Sequence, residues 1–143
     1  MSICVAVRGA QFLCDGGSLE RVFMYIHLKH LLQSQLGTVL SRERQNEDCI
    51  HLYAVGDYWA AFDKSAYLLE DVILQDRPPM TLCPKGQPFP LLMYHIPKGE
   101  MNSLRSAGEI TAERRDYLSL RLHPIIPSDY NKWRSNKTIN VDV

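Results

Sequence analysis

The chain has 143 residues, and its 16 lysines and arginines balance 16 aspartates and glutamates to a formal net charge of zero. An apolar fraction of 45% and a charged fraction of 22% are ordinary for a folded domain and exclude a disordered polyelectrolyte. The balance removes the simplest argument for nucleic-acid binding, a strongly basic domain, but leaves room for a local basic patch.

In chain order, Ile3, Val5 and Val7 lie on one side of an extended segment, which reads as a strand rather than a signal peptide. Asp15-Gly16-Gly17 is a turn signal, and Ser18 suits a helix N-cap. Leu19, Val22, Phe23, Ile26, Leu31, Leu32 and Leu36 fit a 3.6-residue period, so a helix is expected to about Leu36, with an alternative continuing through Leu40. The polar stretch Ser41–Asp48 is then a helix end or loop. Cys49–Val55 is apolar and β-prone, a strand broken by Gly56-Asp57. Asp63 can cap a helix through about Leu74, with Ala66, Leu69, Val72 and Ile73 inward. Arg77-Pro78-Pro79 ends it. Met80–Cys83 reads as a short strand, Pro84–Pro88 as a turn and Phe89–Ile96 as a second strong strand. Pro97 suits the first turn of a helix with Met101 and Leu104 inward and Gly108 as its stop. Glu109–Arg121 is ambiguous: Thr111–Arg115 could open a helix, whereas Leu118, Leu120 and Leu122 alternate as in a strand.

The alternation of strands and helices predicts an α/β (or α+β) fold: one three-layer-like domain over residues 1–127, a mixed sheet with flanking helices, and a polar tail over 128–143. No run of about 18 apolar residues is present, so no membrane partner is expected. Cys4, Cys14, Cys49 and Cys83 form no Cys-x-x-Cys pair and are expected as buried thiols. A cytoplasmic location follows by default, and the oligomeric state is left open.

The most specific stretch is Ile50–Phe62, followed by Asp63-Lys-Ser-Ala66. An apolar strand leads to Gly56-Asp57, then the aromatics Tyr58 and Trp59, a further aromatic at Phe62 and an acidic helix start. This pattern resembles the N-terminal mismatch-recognition domain of MutS-type DNA repair proteins. More loosely, Phe89–Ile96 with its Tyr94-His95 pair resembles a later strand of that domain, and the helix ending at Ala107-Gly108 resembles the one after it. The resemblance spans about half the chain. It implies a recognition-type fold in which Tyr58 stacks on a base. The family's glutamate, which hydrogen-bonds the mispaired base, is replaced by Ala60, so the resemblance implies stacking without specific reading. No Gly-x-x-x-x-Gly-Lys-Ser/Thr loop is present for nucleotide phosphates.

Basic residues concentrate beyond position 104, and Arg114, Arg115, Arg121, Lys132 and Arg134 are interleaved with aromatics including Trp133. Such mixing suits phosphate contact and base stacking, although Glu109, Glu113, Asp116 and Asp129 dilute it. The candidate interface is therefore Tyr58, Trp59, Arg114, Arg115, Arg121, Lys132, Trp133 and Arg134. The leading expectation is a non-enzymatic module with weak, non-specific DNA binding or docking, without catalytic residues, metal or cofactor. The alternative is a protein-interaction module without nucleic-acid contact. A third reading is a small metal-dependent hydrolase or nuclease using Asp57, His95 or Glu70. His27 and His30 share a helix face at i, i+3 but lack an evident third ligand, and Glu70-Asp71 is expected to be solvated.

Overall fold

The computed structural model describes residues 3–6, 19–73 and 78–141. The expected turn at Asp15–Gly17 and the cap at Ser18 lie outside them. Seven strands form one sheet: β1 (Ile3–Ala6), β2 (Cys49–Val55), β3 (Tyr58–Phe62), β4 (Met80–Pro84), β5 (Leu91–Pro97), β6 (Glu109–Glu113) and β7 (Tyr117–Arg121). Their spatial order is β1-β4-β5-β3-β2-β7-β6, and every pairing is antiparallel. The helices are α1 (Leu19–Arg44), α2 (Lys64–Leu69), α3 (Met101–Arg105, entered through a 3-10 turn at Lys98–Glu100) and α4 (Pro127–Val141). The α/β class is as expected. The sheet, however, is antiparallel rather than mixed: β2–β3, β4–β5 and β6–β7 are hairpins, and the longer connections through α1 and α2 also place their strands beside antiparallel neighbours.

Strand alternation sorts the core into two layers. On one face Tyr53, Val55, Ala60, Phe62, Leu82 and Met93 pack against Met24, Leu28, Leu32, Leu36 and Val39 of α1. On the other, Ile50, Leu52, Ala61, Ile96, Leu118 and Leu120 pack against Leu68 and Leu69 of α2 and Leu104 of α3, with Trp133 of α4 against the same cluster. Helices thus cover both faces, and the central strands read as near-continuous apolar runs because both of their faces are buried.

Several elements differ from the main sequence expectation. First, α1 follows the longer of the two expected alternatives, running through Leu40 to Arg44 with the polar stretch as its end, and carries a non-helical residue at Gln35. There Ser34 Oγ donates to the His30 carbonyl at 2.8 Å, a back-bond that bends helices, and Gly37 follows. The inward face also shifts: Met24 and Leu28 are buried, whereas Val22, Phe23 and Ile26 are exposed. Second, Tyr58–Phe62 is a strand. Val55 pairs directly with Tyr58, so Gly56-Asp57 is a two-residue hairpin turn. Gly56 has φ 65°, whereas Asp57 does not adopt positive φ, the pattern of a type II′ turn. Third, 109–121 resolves into a hairpin of two strands with a bulge between Ile110 and Ala112. Gly108 is needed at its foot, because a Cβ there would lie 2.3 Å from the Arg121 carbonyl oxygen. Fourth, the polar tail forms α4. Pro127 occupies its first position, Asp129 its first turn, and its aromatics dock on α2.

Asp63 does not cap α2 with its side chain. Its carboxylate instead accepts from Leu92 N at 2.9 Å and Arg134 Nη1 at 2.7 Å. The capping role passes to Glu43 of α1, whose Oε1 accepts from Ser65 N at 2.9 Å while Oε2 accepts from Ser65 Oγ at 2.6 Å. The helix itself is shorter than expected and ends at Leu69, with turns continuing to Val72. Of the four cysteines expected to be buried, Cys49 is half-buried and Cys83 exposed; Cys14 and the Cys4 side chain lie outside the described structure. Among the described residues no helix is long and apolar enough to cross a membrane.

Candidate nucleic-acid interface

The strand register fixes which candidate residues can share a surface. β2 pairs Val55 with Tyr58 of β3, and Tyr58 in turn pairs with Pro97 of β5. On its other side β2 pairs Tyr53 with Tyr117 of β7. The β2–β3 turn, the 3-10 turn after β5 and the β6–β7 turn therefore lie at one end of the sheet. Backbone bonds tie them together: Lys98 N donates to the Asp57 carbonyl at 3.0 Å, and Ala54 N to the Asp116 carbonyl at 3.0 Å. This end carries Tyr58, Trp59, Arg114 and Arg115. The other four candidates lie elsewhere. Arg121 pairs with Cys49 at the opposite end of β2, and Lys132, Trp133 and Arg134 are on α4.

Tyr58 is half-buried on the α1 face, and its ring meets His95 edge-on at 5.3 Å between centroids. α1 crosses the turn beside it: a Cβ on Gly56 would lie 3.4 Å from His27 Cδ2 and 3.7 Å from the Met24 backbone. Trp59 points to the other face and is only 7% exposed. Its indole N–H is buried without a hydrogen-bond partner. The Lys98 ammonium lies 5.1 Å from its ring centroid, a cation–π contact. Ala60 is fully buried, opposite Tyr53 on one side and His95 on the other. Position 60 thus faces the core, and no side chain there contacts a bound base without movement of the sheet. Arg114 and Arg115 are exposed on the β6–β7 turn, with the acidic Asp57, Glu100 and Asp116 nearby on the same rim.

The remaining candidates have partners within the fold. Arg121 sits 3.6 Å from Asp48 and 3.4 Å from Glu109. Trp133 Nε1 donates to Glu70 at 2.8 Å, and Arg134 bonds both Asp63 and the Pro90 carbonyl. Lys132 is exposed. Glu70 is not solvated as expected. It also accepts from Tyr94 Oη at 2.6 Å and lies 3.9 Å from Lys137 Nζ. Burial and this bond push the Tyr94 phenol up from its ordinary value. Glu70 serves the α2–α4 contact on one face, whereas His95 meets Tyr58 on the other, so Asp57, His95 and Glu70 do not converge.

His51 faces away from Ile50 and Leu52, as the alternation predicts. Its Nδ1 lies 2.7 Å from Tyr117 Oη. Burial first, and the Arg42 charge second, lower its pKa to about 4. Arg42 stacks 4.0 Å over the Tyr117 ring. Burial and the Asp48 carboxylate push the Cys49 thiol up to about 11, which leaves it protonated and unreactive at neutral pH. His27 and His30 are both exposed, and among the described residues no group of three histidine, cysteine or acidic side chains is placed to hold a metal ion.

No protein-family model, curated protein sequence or solved structure matches this chain.

Proposed function

We propose that this chain is a non-enzymatic binding module, resembling the MutS recognition domain, that docks weakly and without sequence preference on nucleic acid through the end of the sheet bearing Tyr58. The observation that carries the reading is the contact between Tyr58 and His95. Two segments far apart in sequence, each resembling part of that domain, come together as paired strands with their rings touching. Tyr58 offers a ring for stacking, and Lys98, Arg114 and Arg115 offer three cations on the same rim for phosphates. Buried Ala60 supports the absence of specific reading. Stacking is worth about 1–3 kcal/mol per base, or roughly 5- to 150-fold in affinity. Fluorescence anisotropy with a labelled duplex carrying a single-base bulge tests the reading: Tyr58→Ala should weaken binding within that range. Absent binding at micromolar protein, or binding indifferent to Tyr58→Ala, contradicts it.

A protein-interaction module is the second reading. It is favoured by Val22, Phe23 and Ile26, which stand exposed together on the outer face of α1. Self-association in sedimentation velocity that Phe23→Glu abolishes, in a protein that binds no duplex at micromolar concentration, would support it.

A further inference from the structure

At the end of the sheet opposite Tyr58 a cleft of about 570 Å³ opens between the last turn of α1, the β3–α2 turn, the loop joining β4 to β5, and α4. Its size is that of a small-molecule site. The floor is held by Asp63, the one non-glycine residue with positive φ (46°) among the described residues. Its amide donates to the Leu92 carbonyl at 2.8 Å, and its carboxylate is fixed by Leu92 N and Arg134. Backbone in such a region costs about 1–3 kcal/mol and persists where the surroundings over-determine it, as at binding sites.

The charges in the cleft do not cancel. Arg134 neutralises Asp63. Glu43 is enclosed, and burial raises its pKa to about 8, so it carries little charge at neutral pH. Two cations remain. The Lys64 ammonium meets the carbonyl oxygens of Arg44 and Asn46, at 3.5 and 3.3 Å, lies 6.0 Å from the Tyr130 ring, and shares with Arg134 the charge of the neighbouring Asp63 without forming an ion pair of its own among the described residues. The Arg44 guanidinium is exposed and makes no ion pair among the described residues. A chain of zero net charge thus keeps a cationic cleft. The opposite wall is apolar. Phe89 is 74% exposed, stands between Pro88 and Pro90, and lines the cleft with Leu40 and Leu91. Its ring gives the cleft an apolar surface open to a ligand.

We propose that this cleft binds a small amphipathic anion, its apolar body lying on Phe89 and Leu40 and its single acidic group on Lys64 and Arg44. The site is separate from the nucleic-acid surface, and each stands or falls without the other.

Titration of the full chain with 8-anilinonaphthalene-1-sulfonate, an aromatic monoanion, read by its fluorescence, tests the proposal. N-phenyl-1-naphthylamine, its uncharged counterpart, is the control. Saturable one-site binding is expected, at least fivefold tighter for the anion than for the neutral dye. Lys64→Gln and Phe89→Ala should each weaken it at least fivefold, and Tyr58→Ala should leave it unchanged. In the unaltered protein, amide shifts on adding the dye should centre on Lys64, Phe89 and Asn131, a readout independent of how any variant folds. No saturable binding, equal affinity for the neutral dye, indifference to both substitutions, or shifts centred elsewhere would overturn the proposal.

Discussion

Replacing Glu43 with glutamine isolates one buried carboxyl group. Glu43 is 4% exposed, and its oxygens accept from Ser65 N and Ser65 Oγ, with Asn46 Nδ2 at 3.5 Å. Burial is the largest influence and raises its pKa from 4.5 to about 8; the hydrogen bonds from Ser65 pull it down, and the Asp63 charge adds to the rise. Because the folded value lies above the unfolded one, the folded chain holds this proton between pH 4.5 and 8 while the unfolded chain releases it. The contribution to stability is fully present below pH 4.5 and is lost as pH rises, at roughly 1.4 kcal/mol per unit, so that about 3 kcal/mol is gone by pH 7, and the loss flattens above pH 8. Glu43→Gln keeps an acceptor for Ser65 N, and Ser65 Oγ can in turn accept from the new amide, but it has no proton to release. Urea unfolding of both proteins from pH 4.5 to 9 should show near-equal stability at the acid end. The variant should gain about 3 kcal/mol by pH 7 and level off near pH 8. His51, whose folded value is lowered to about 4, destabilises both proteins as pH falls below 6.5 and cancels in the difference. Parallel profiles for the two proteins would refute the reasoning.

Five further substitutions test the packing. Leu28→Ala should cost about 2–5 kcal/mol by chemical denaturation, and Ile26→Ala less than about 0.5 kcal/mol, since only Leu28 is buried; equal or reversed losses would contradict this orientation of α1. Gly37→Ala should raise stability by roughly 1 kcal/mol, because the glycine is helical and its Cβ meets nothing, whereas Gly108→Ala should lower it by about 1–3 kcal/mol through its clash with the Arg121 carbonyl. Trp133→Phe removes the bond to Glu70 and should cost about 1 kcal/mol, visible as a lower melting temperature.

Much of the sheet was legible because burial on alternate or on both faces leaves a pattern in sequence. Cys49–Val55 is read to its ends, and Leu118 and Leu120 mark β7. The Tyr58–Phe62 strand was also signalled, since two β-prone runs separated only by Gly-Asp are a hairpin signature. It was hidden because Tyr-Trp-Ala-Ala-Phe does not alternate: Trp59 and Ala61 face one layer, Ala60 and Phe62 the other. α4 was not legible, because a polar helix with no continuous apolar stripe is held by Tyr130, Trp133 and the ion pairs of Arg134 and Lys137, and those contacts depend on α2, Glu70 and Asp63. On the α1 side, Val22, Phe23 and Ile26 completed a helical period that the fold does not bury. For the candidate interface, the sequence collects eight residues by type. Only the register shows that Tyr58, Trp59, Arg114 and Arg115 share one end of the sheet, while Arg121, Trp133 and Arg134 are bound to carboxylates elsewhere. The cleft beside Asp63 and Phe89 left no such trace. Asp63 carries an unusual backbone angle in a residue type that otherwise reads as a cap, and Phe89 reads as the start of a strand.

The salt dependence of duplex binding tests the docking surface most directly. If Lys98, Arg114 and Arg115 contact three phosphates, the logarithm of the association constant should fall with the logarithm of salt concentration with a slope of about −2.7. Replacing both Arg114 and Arg115 with glutamine should reduce that slope to about −0.9. Binding that is absent at micromolar protein, indifferent to salt, or of unchanged slope in the double variant would contradict docking through this end of the sheet.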